Sequence, residues 1–284
     1  MLSMAKHNDT KINQLERALP EGLLVDAAWL AKHGFSTSLR SQYVTAGKLE
    51  QPARRVYRRP RGSISWQQVV ISLQTLLEYP LVVGGRTALE LQGFAHYLPT
   101  NTREVHLYGP KTPPTWLANL SAGPRFIYHN NRKFFRDESF TRDFVRLRSE
   151  EKVGQGDPSK GDGACLTVQP WGQWNWQFVL STPERALLEL LDELPKHETF
   201  EQVDKLVANL PNLSPRRLEK LLHDCRNVKV KRLFFYFADR HKHAWLKHLD
   251  KESVDLGTGK RMLVKGGKLD LRYQITVPED LNAV

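Results

Sequence analysis

The stretch Gly84-Gly85-Arg86-Thr87-Ala88-Leu89-Glu90-Leu91 has the residue types of a phosphate cradle. Two glycines behind the apolar run Leu81-Val82-Val83 let the backbone turn tightly and approach a neighbour. A helix starting near Thr87 would present unpaired amides at its N-terminus, where anions bind. Nucleotidyl transfer needs more than this: two carboxylates, one residue apart on a following strand, to hold Mg²⁺. The strand that follows reads Arg103-Glu104-Val105-His106-Leu107, with one carboxylate and one histidine in that place. Gly84, Gly85 and Thr87 are therefore expected as a structural motif, with no catalytic residue, metal or cofactor.

Other chemistries fare no better. His241 and His243 flank Lys242 close to Asp239, but side chains at i and i+2 of a helix point apart and do not readily share a metal. No phosphate loop, dinucleotide fingerprint or nucleophile elbow is present. Trp171, Trp174 and Trp176 fit strand packing better than a ligand cage. Cys165 and Cys225 lack metal-ligand spacing and read as reduced thiols.

A second set of residues suits base edges and phosphates. Ser36, Thr37, Ser38, Arg40, Ser41, Gln42 and Thr45 are short hydrogen-bonding groups and one arginine, with no carboxylate among them. Arginine matches guanine and glutamine matches adenine in the major groove. Ser36, Thr37 and Ser41 suit phosphate contacts. Downstream lie Lys48 and a basic run, Arg54, Arg55, Tyr57, Arg58, Arg59 and Arg61.

The elements that must position these groups follow from local signals. Val25–His33 is a short apolar helix that Gly34 ends, where a positive φ is wanted. Ser36 is a good N-cap for a second helix, Thr37–Ala46. Leu39, Tyr43 and Ala46 give that helix a buried face at i, i+4, i+7, and Gly47 closes it. Lys48-Leu49 and the arginine-rich run then read as a β-arm. Helix, turn, polar helix and basic arm make a winged helix-turn-helix. A first amphipathic helix at Thr10–Leu19 completes its core.

Charge supports this reading. The 284 residues carry a net +11. Residues 1–62 hold 11 Lys/Arg against 5 Asp/Glu, residues 63–202 hold 14 against 16, and residues 203–248 hold 11 against 4. Two basic blocks thus flank a near-neutral scaffold, and the first coincides with the winged helix, as binding to phosphates requires. The second, around Lys205, Arg216, Arg217, Lys220, Lys229 and Arg232, is either a solvated helical face or a surface for an acidic partner. No apolar run is long enough to span a bilayer and no secretory signal opens the chain, so a cytoplasmic protein without a membrane partner is expected.

The expected fold class is α+β. Residues 1–9 read as disordered, 10–62 as the winged helix, and 63–284 as a larger mixed α/β domain. In the latter, Ser65–Tyr79 is a helix, and Glu104–Tyr108, Arg125–His129 and Phe140–Leu147 are strands. Glu150–Gly163 is a mobile loop, Thr182-Pro183 starts an apolar helix, and helices fill Phe200–Leu249. Glycine pairs between β-prone runs predict a terminal hairpin.

The winged helix, GGRTALELQGFAHYL, EVHLYG, VKRLFFYFADRHKHAW and LGTGKRMLVKGGKLDLRYQITVP occur in that order between Leu15 and Pro278. On these stretches the sequence resembles the AbiEi antitoxins of type IV toxin–antitoxin, or abortive infection, systems of phage defence. The resemblance implies a non-enzymatic antitoxin and autorepressor. Its winged helix would bind inverted repeats in operator DNA. Its larger domain, 63–284, would counter a nucleotidyltransferase-like toxin without a stable complex. The acidic target of the second basic block would then be the toxin, its RNA substrate or a modified product. The alternative is a nucleic-acid-modifying enzyme with a winged helix for targeting.

Overall fold

The protein is described by a computed structural model over residues 11–94, 102–121, 123–136, 139–151, 165–172 and 175–282. The disorder expected at 1–9, the Trp174 ring and the loop expected at Glu150–Gly163 lie outside these residues, except that Glu150 and Glu151 are helical.

Helix α1 (residues 11–18) contributes buried Leu15, and Leu19 follows it into the core. Strand β1 (Leu24–Asp26) comes next, then α2 (Ala27–Lys32). The expected helix at Val25 starts two residues late because Leu24 and Val25 pair with Arg58 and Tyr57, and Asp26 caps α2 by accepting from the Trp29 amide at 2.7 Å. Gly34 adopts φ +82°, and its amide and that of Phe35 donate back to Ala31 and Leu30. This Schellman closure drives the Phe35 ring fully into the core. Ser36 then caps α3 (Thr37–Thr45). Gly47 and Lys48 close it the same way, on Val44 and Tyr43. Strands β2 (Glu50–Ala53) and β3 (Val56–Arg58) make the wing, a three-stranded antiparallel sheet in the order β1-β3-β2.

Helix α4 (Trp66–Thr75) opens with a full capping box between Ser65 and Gln68. It packs on both halves of the molecule. Ser72 Oγ accepts from the Leu24 amide at 2.8 Å, and the Gln74 amide group bonds Leu81 and both backbone groups of Val179. One apolar cluster runs continuously from Leu15 to Leu281.

The larger part is built on a five-stranded sheet. Its strands are β4 (Val82–Val83), β5 (Glu104–Gly109), β6 (Arg125–Asn130), β7 (Leu166–Trp171) and β8 (Trp176–Ser181), in the order β6-β5-β4-β8-β7. Pairs β5–β6 and β4–β8 are parallel; β4–β5 and β7–β8 are antiparallel. The helices are α5 (Gly85–Leu91), α6 (Asn131–Phe134), α7 (Ser139–Glu151), α8 (Pro183–Asp192), α9 (Phe200–Ala208), α10 (Pro215–Asp224) and α11 (Val228–His241). The strand expected at Phe140–Leu147 is instead part of α7. Phe140, Phe144 and Leu147 are buried against Val82, Tyr108 and Val179, a spacing of i, i+4, i+7 that only a helix places on one face. Trp171 and Trp176 face each other across β7–β8 with centroids 6.3 Å apart, as strand packing. The terminal hairpin is present as β9 (Lys268–Asp270) and β10 (Ile275–Val277).

The double glycine has an internal partner. The Glu189 carboxylate, fully buried on α8, accepts from the Gly85 amide at 3.0 Å, from Ser181 Oγ at 3.1 Å and from Arg185 Nε at 2.8 Å. Arg185 in turn lies over the rings of Phe135 and Phe140. A Cβ on Gly84 would come within 2.2 Å of Glu189 Oε2 and 2.5 Å of the Tyr108 ring. Space, not backbone freedom, requires glycine there, since Gly84 has an ordinary extended φ of −134°. Gly84→Ala is expected to destabilise the chain by about 1–3 kcal/mol through overpacking, read from urea unfolding. An unchanged midpoint would show that the packing there is slack.

Candidate nucleic-acid interface

Helix α3 presents one polar face. Thr37, Ser38, Ser41, Gln42 and Thr45 are all exposed and no acidic residue lies on the helix. Its nine residues span about 13.5 Å along the axis, and an α-helix, about 10–12 Å across with its side chains, fits a major groove about 12 Å wide. Ser36 is exposed at the N-cap, but its hydroxyl is shared between the Leu39 amide and Ser38. Lys48 is exposed just past the helix.

Arg40 departs from the reading that gives it a base contact. It is buried, with Nη1 donating to Ala27 O at 2.5 Å and Nη2 to Thr37 Oγ1 at 2.7 Å. Its guanidinium stands 5.8 Å from the centre of the half-buried Tyr57 ring. Arg40 therefore fixes α3 to the start of α2 and to the wing. The cause is that α2 leaves the Ala27 carbonyl facing α3, and a long side chain one turn into α3 reaches it.

The wing divides its arginines in the same way. Ala53 pairs with Val56, so Arg54 and Arg55 are the two turn residues at its tip, and both are exposed. Arg55 holds φ +65°, and its carbonyl accepts from the Ala27 amide at 2.9 Å. Arg58 is buried instead, bonded to Glu50 at 2.6 Å and to Gly62 O at 2.6 Å. Arg59 donates to Glu16 O, Leu19 O and Glu21, and Arg61 lies 3.8 Å from Glu21. Arg58 and Arg59 thus hold the wing to its own strand and to α1, which corrects the expectation that they lie along a ligand.

The second basic block also separates. Lys205, Arg216 and Lys220 are exposed on α9 and α10, and half-buried Arg217 is 3.7 Å from buried Glu184. Lys229 and Arg232 are not part of that surface. Lys229 Nζ donates to Asp192 O at 2.6 Å and Leu194 O at 2.9 Å. Buried Arg232 donates to the carbonyls of Leu256, Gly257, Gly259 and Gln274, clasping the terminal hairpin segment to α11.

The strand where a nucleotidyl-transfer site would place its carboxylates holds a different group. His106 on β5 and His129 on β6 meet nitrogen to nitrogen at 2.9 Å, and Glu193, just past α8, lies 3.4 Å from His129. Burial lowers both imidazoles to about 4, His129 also through the neighbouring His106. Burial, with Asp192 beside it, raises Glu193 to about 7. Sequence singles out neither His129 nor Glu193, because nothing local marks either as a partner of His106. The residue types of a phosphate cradle at the double glycine serve another partner. The Gly85 amide faces Glu189, and a buried carboxylate excludes a phosphate from that amide.

Two family models match the chain. One, described as a transcriptional regulator, AbiEi antitoxin, of type IV toxin–antitoxin systems, covers residues 102–278. The other, the N-terminal domain of the AbiEi antitoxin transcriptional regulator, covers residues 8–100. Among solved structures, the RV2827C protein from Mycobacterium tuberculosis superposes with a TM-score of 0.53 at 17% identity, over 93% of this chain and 88% of that one, a likeness of fold alone. No curated protein matches.

Arg40→Ala is expected to cost about 1–3 kcal/mol, because it removes the charge-assisted hydrogen bonds to Ala27 O and Thr37 Oγ1. Ser41→Ala and Gln42→Ala, on the exposed face, should stay within about 0.5 kcal/mol of the parent. Thermal unfolding of the three variants checks this; equal midpoints would return Arg40 to the surface.

Proposed function

The chain belongs to the AbiEi antitoxin family of type IV toxin–antitoxin systems, a family of transcriptional regulators, and from that premise we propose that it represses its own operon by binding inverted repeats in operator DNA. The observation that carries this reading is the acid-free, exposed face of α3, held rigidly by an inward arginine and flanked by Arg54 and Arg55 at the wing tip. Helix α3 enters the major groove, with Gln42 and Ser41 at base edges and Thr37 and Thr45 beside the phosphates. Arg54, Arg55 and Lys48 neutralise backbone charge. Residues 10–62 form the DNA-reading unit and residues 63–284 the antitoxin proper.

The second half of the proposal concerns the toxin. We assign its neutralisation to the exposed cations of α9 and α10, Lys205, Arg216 and Lys220, facing an acidic target, the toxin or an RNA, without catalysis and without a stable complex. Against an enzymatic alternative stand the single carboxylate on β5 and the Gly85 amide turned to Glu189 rather than to a ligand.

Fluorescence anisotropy with a duplex from the chain's own promoter tests the first half. A double R54A/R55A variant should bind all sequences more weakly, with the salt slope shallower by roughly 0.9 for each phosphate that is no longer neutralised. An unchanged slope would take the wing tip out of the interface. Toxin co-expression tests the second half. R216E/K220E should fail to rescue growth while keeping operator binding; rescue equal to the parent's would make α10 only a solvated face.

A further inference from the structure

Four ionisable side chains line up across β5, β6 and the C-terminal end of α8. Glu104 Oε2 lies 4.0 Å from His106 Nε2, His106 Nδ1 lies 2.9 Å from His129 Nε2, and His129 Nδ1 lies 3.4 Å from Glu193 Oε1. The two imidazole planes are within 10° of parallel and their centroids are 5.1 Å apart. With the facing nitrogens at 2.9 Å, that spacing means the rings meet edge to edge.

Two neutral imidazoles bring two N–H groups to this line, and the line has three contacts. With both carboxylates ionised, one contact is left without a proton whichever tautomers are chosen; a proton on Glu193 is one way to fill it. If both outer nitrogens donate to the carboxylates, the two inner lone pairs face each other. A cation at the inner nitrogens is the other way. Both inner lone pairs become ligands, and the outer N–H of His106 points to Glu104. Carboxylate-backed histidines of this kind are the usual support of metal sites.

We infer that His106 and His129, with the Glu193 carboxylate, form a binding site for a divalent transition-metal ion of the zinc class. One donor atom from each of the three lies within 4.8 Å of the others. Around tetrahedral zinc, donors stand about 3.3 Å apart, from metal–nitrogen bonds of about 2.0–2.1 Å. The inner nitrogens therefore open by a few tenths of an ångström, both rings tilt so that their lone pairs converge on the ion, and Glu193 turns inward. Glu193 thereby leaves His129 Nδ1 and becomes a ligand of the ion. Imidazole nitrogen with carboxylate selects zinc, nickel or copper over Mg²⁺ or Ca²⁺. His106 and Glu193 are each 6% exposed, whereas His129 is half-buried on the edge strand β6, which gives the ion a way in. The site is independent of the DNA-binding proposal: it lies in the larger part of the chain, on the sheet.

The full-length, untagged chain is stripped with chelator and titrated with ZnCl₂ by calorimetry, and with CoCl₂ by visible absorption. One equivalent of zinc per chain, a rise in the unfolding midpoint and the d–d bands of four-coordinate cobalt are expected. Glu104→Gln should weaken zinc binding by about 10–100-fold, the worth of a carboxylate behind a metal-bound histidine. His129→Gln should weaken it further, while far-UV circular dichroism and promoter binding stay at the parent's level. The site is overturned if the parent binds no zinc saturably, or if His129→Gln binds zinc as the parent does.

Discussion

A carboxylate without access to solvent organises the larger part of this molecule. Glu189 ties α8 to the turn after β4 through the Gly85 amide, to the end of β8 through Ser181, and to its own helix through Arg185. Burying such a charge costs several kcal/mol, which only good geometry and a paired cation offset. Burial pushes the carboxyl above its usual range, and Arg185 pulls in the opposite direction. The two glycines follow from this. Gly84 makes room for the carboxylate and for Tyr108, and Gly85 aims its amide at it. A turn that resembles a phosphate cradle in sequence is filled by the protein's own anion.

The same logic governs the arginines. Residues 1–62 carry a net +6, yet Arg40, Arg58 and Arg59 direct their guanidiniums to backbone carbonyls and glutamates of the winged unit. Such hydrogen bonds are directional, and a planar guanidinium with five donors satisfies several carbonyls at once. Arg232 does this for the terminal hairpin segment, where four carbonyls converge on one side chain. Charge that looks like a footprint in sequence is thus partly scaffold; the exposed cations of the two basic blocks include Arg54 and Arg55 at the wing tip, Lys48 just past α3, and Lys205, Arg216 and Lys220 on α9 and α10.

Local signals are the legible ones. Gly34, Ser36 and Gly47 mark the ends of α2 and α3 through single-residue backbone demands, and both helices end where those residues stand. The terminal hairpin and the helix after Thr182 are readable for the same reason. Phe140–Leu147 misleads because a short apolar run suits either period, and only its packing against Tyr108 and Val179 decides. The direction of Arg40 is hidden because one residue type serves both groove and scaffold. The partners of Gly85 and His106 lie 104 and 23 residues away. Composition and spacing carry no trace of such pairings, which topology alone creates.

The central claim is that α3 and the wing tip are where this chain meets duplex DNA. Hydrogen exchange of the full-length chain, followed by mass spectrometry with and without its promoter duplex, tests that most directly. Slowed exchange concentrated in peptides spanning residues 36–59, with little change over α9 and α10, is the predicted result. Slowed exchange confined to residues 200–226, with α3 and the wing unaffected, would contradict it.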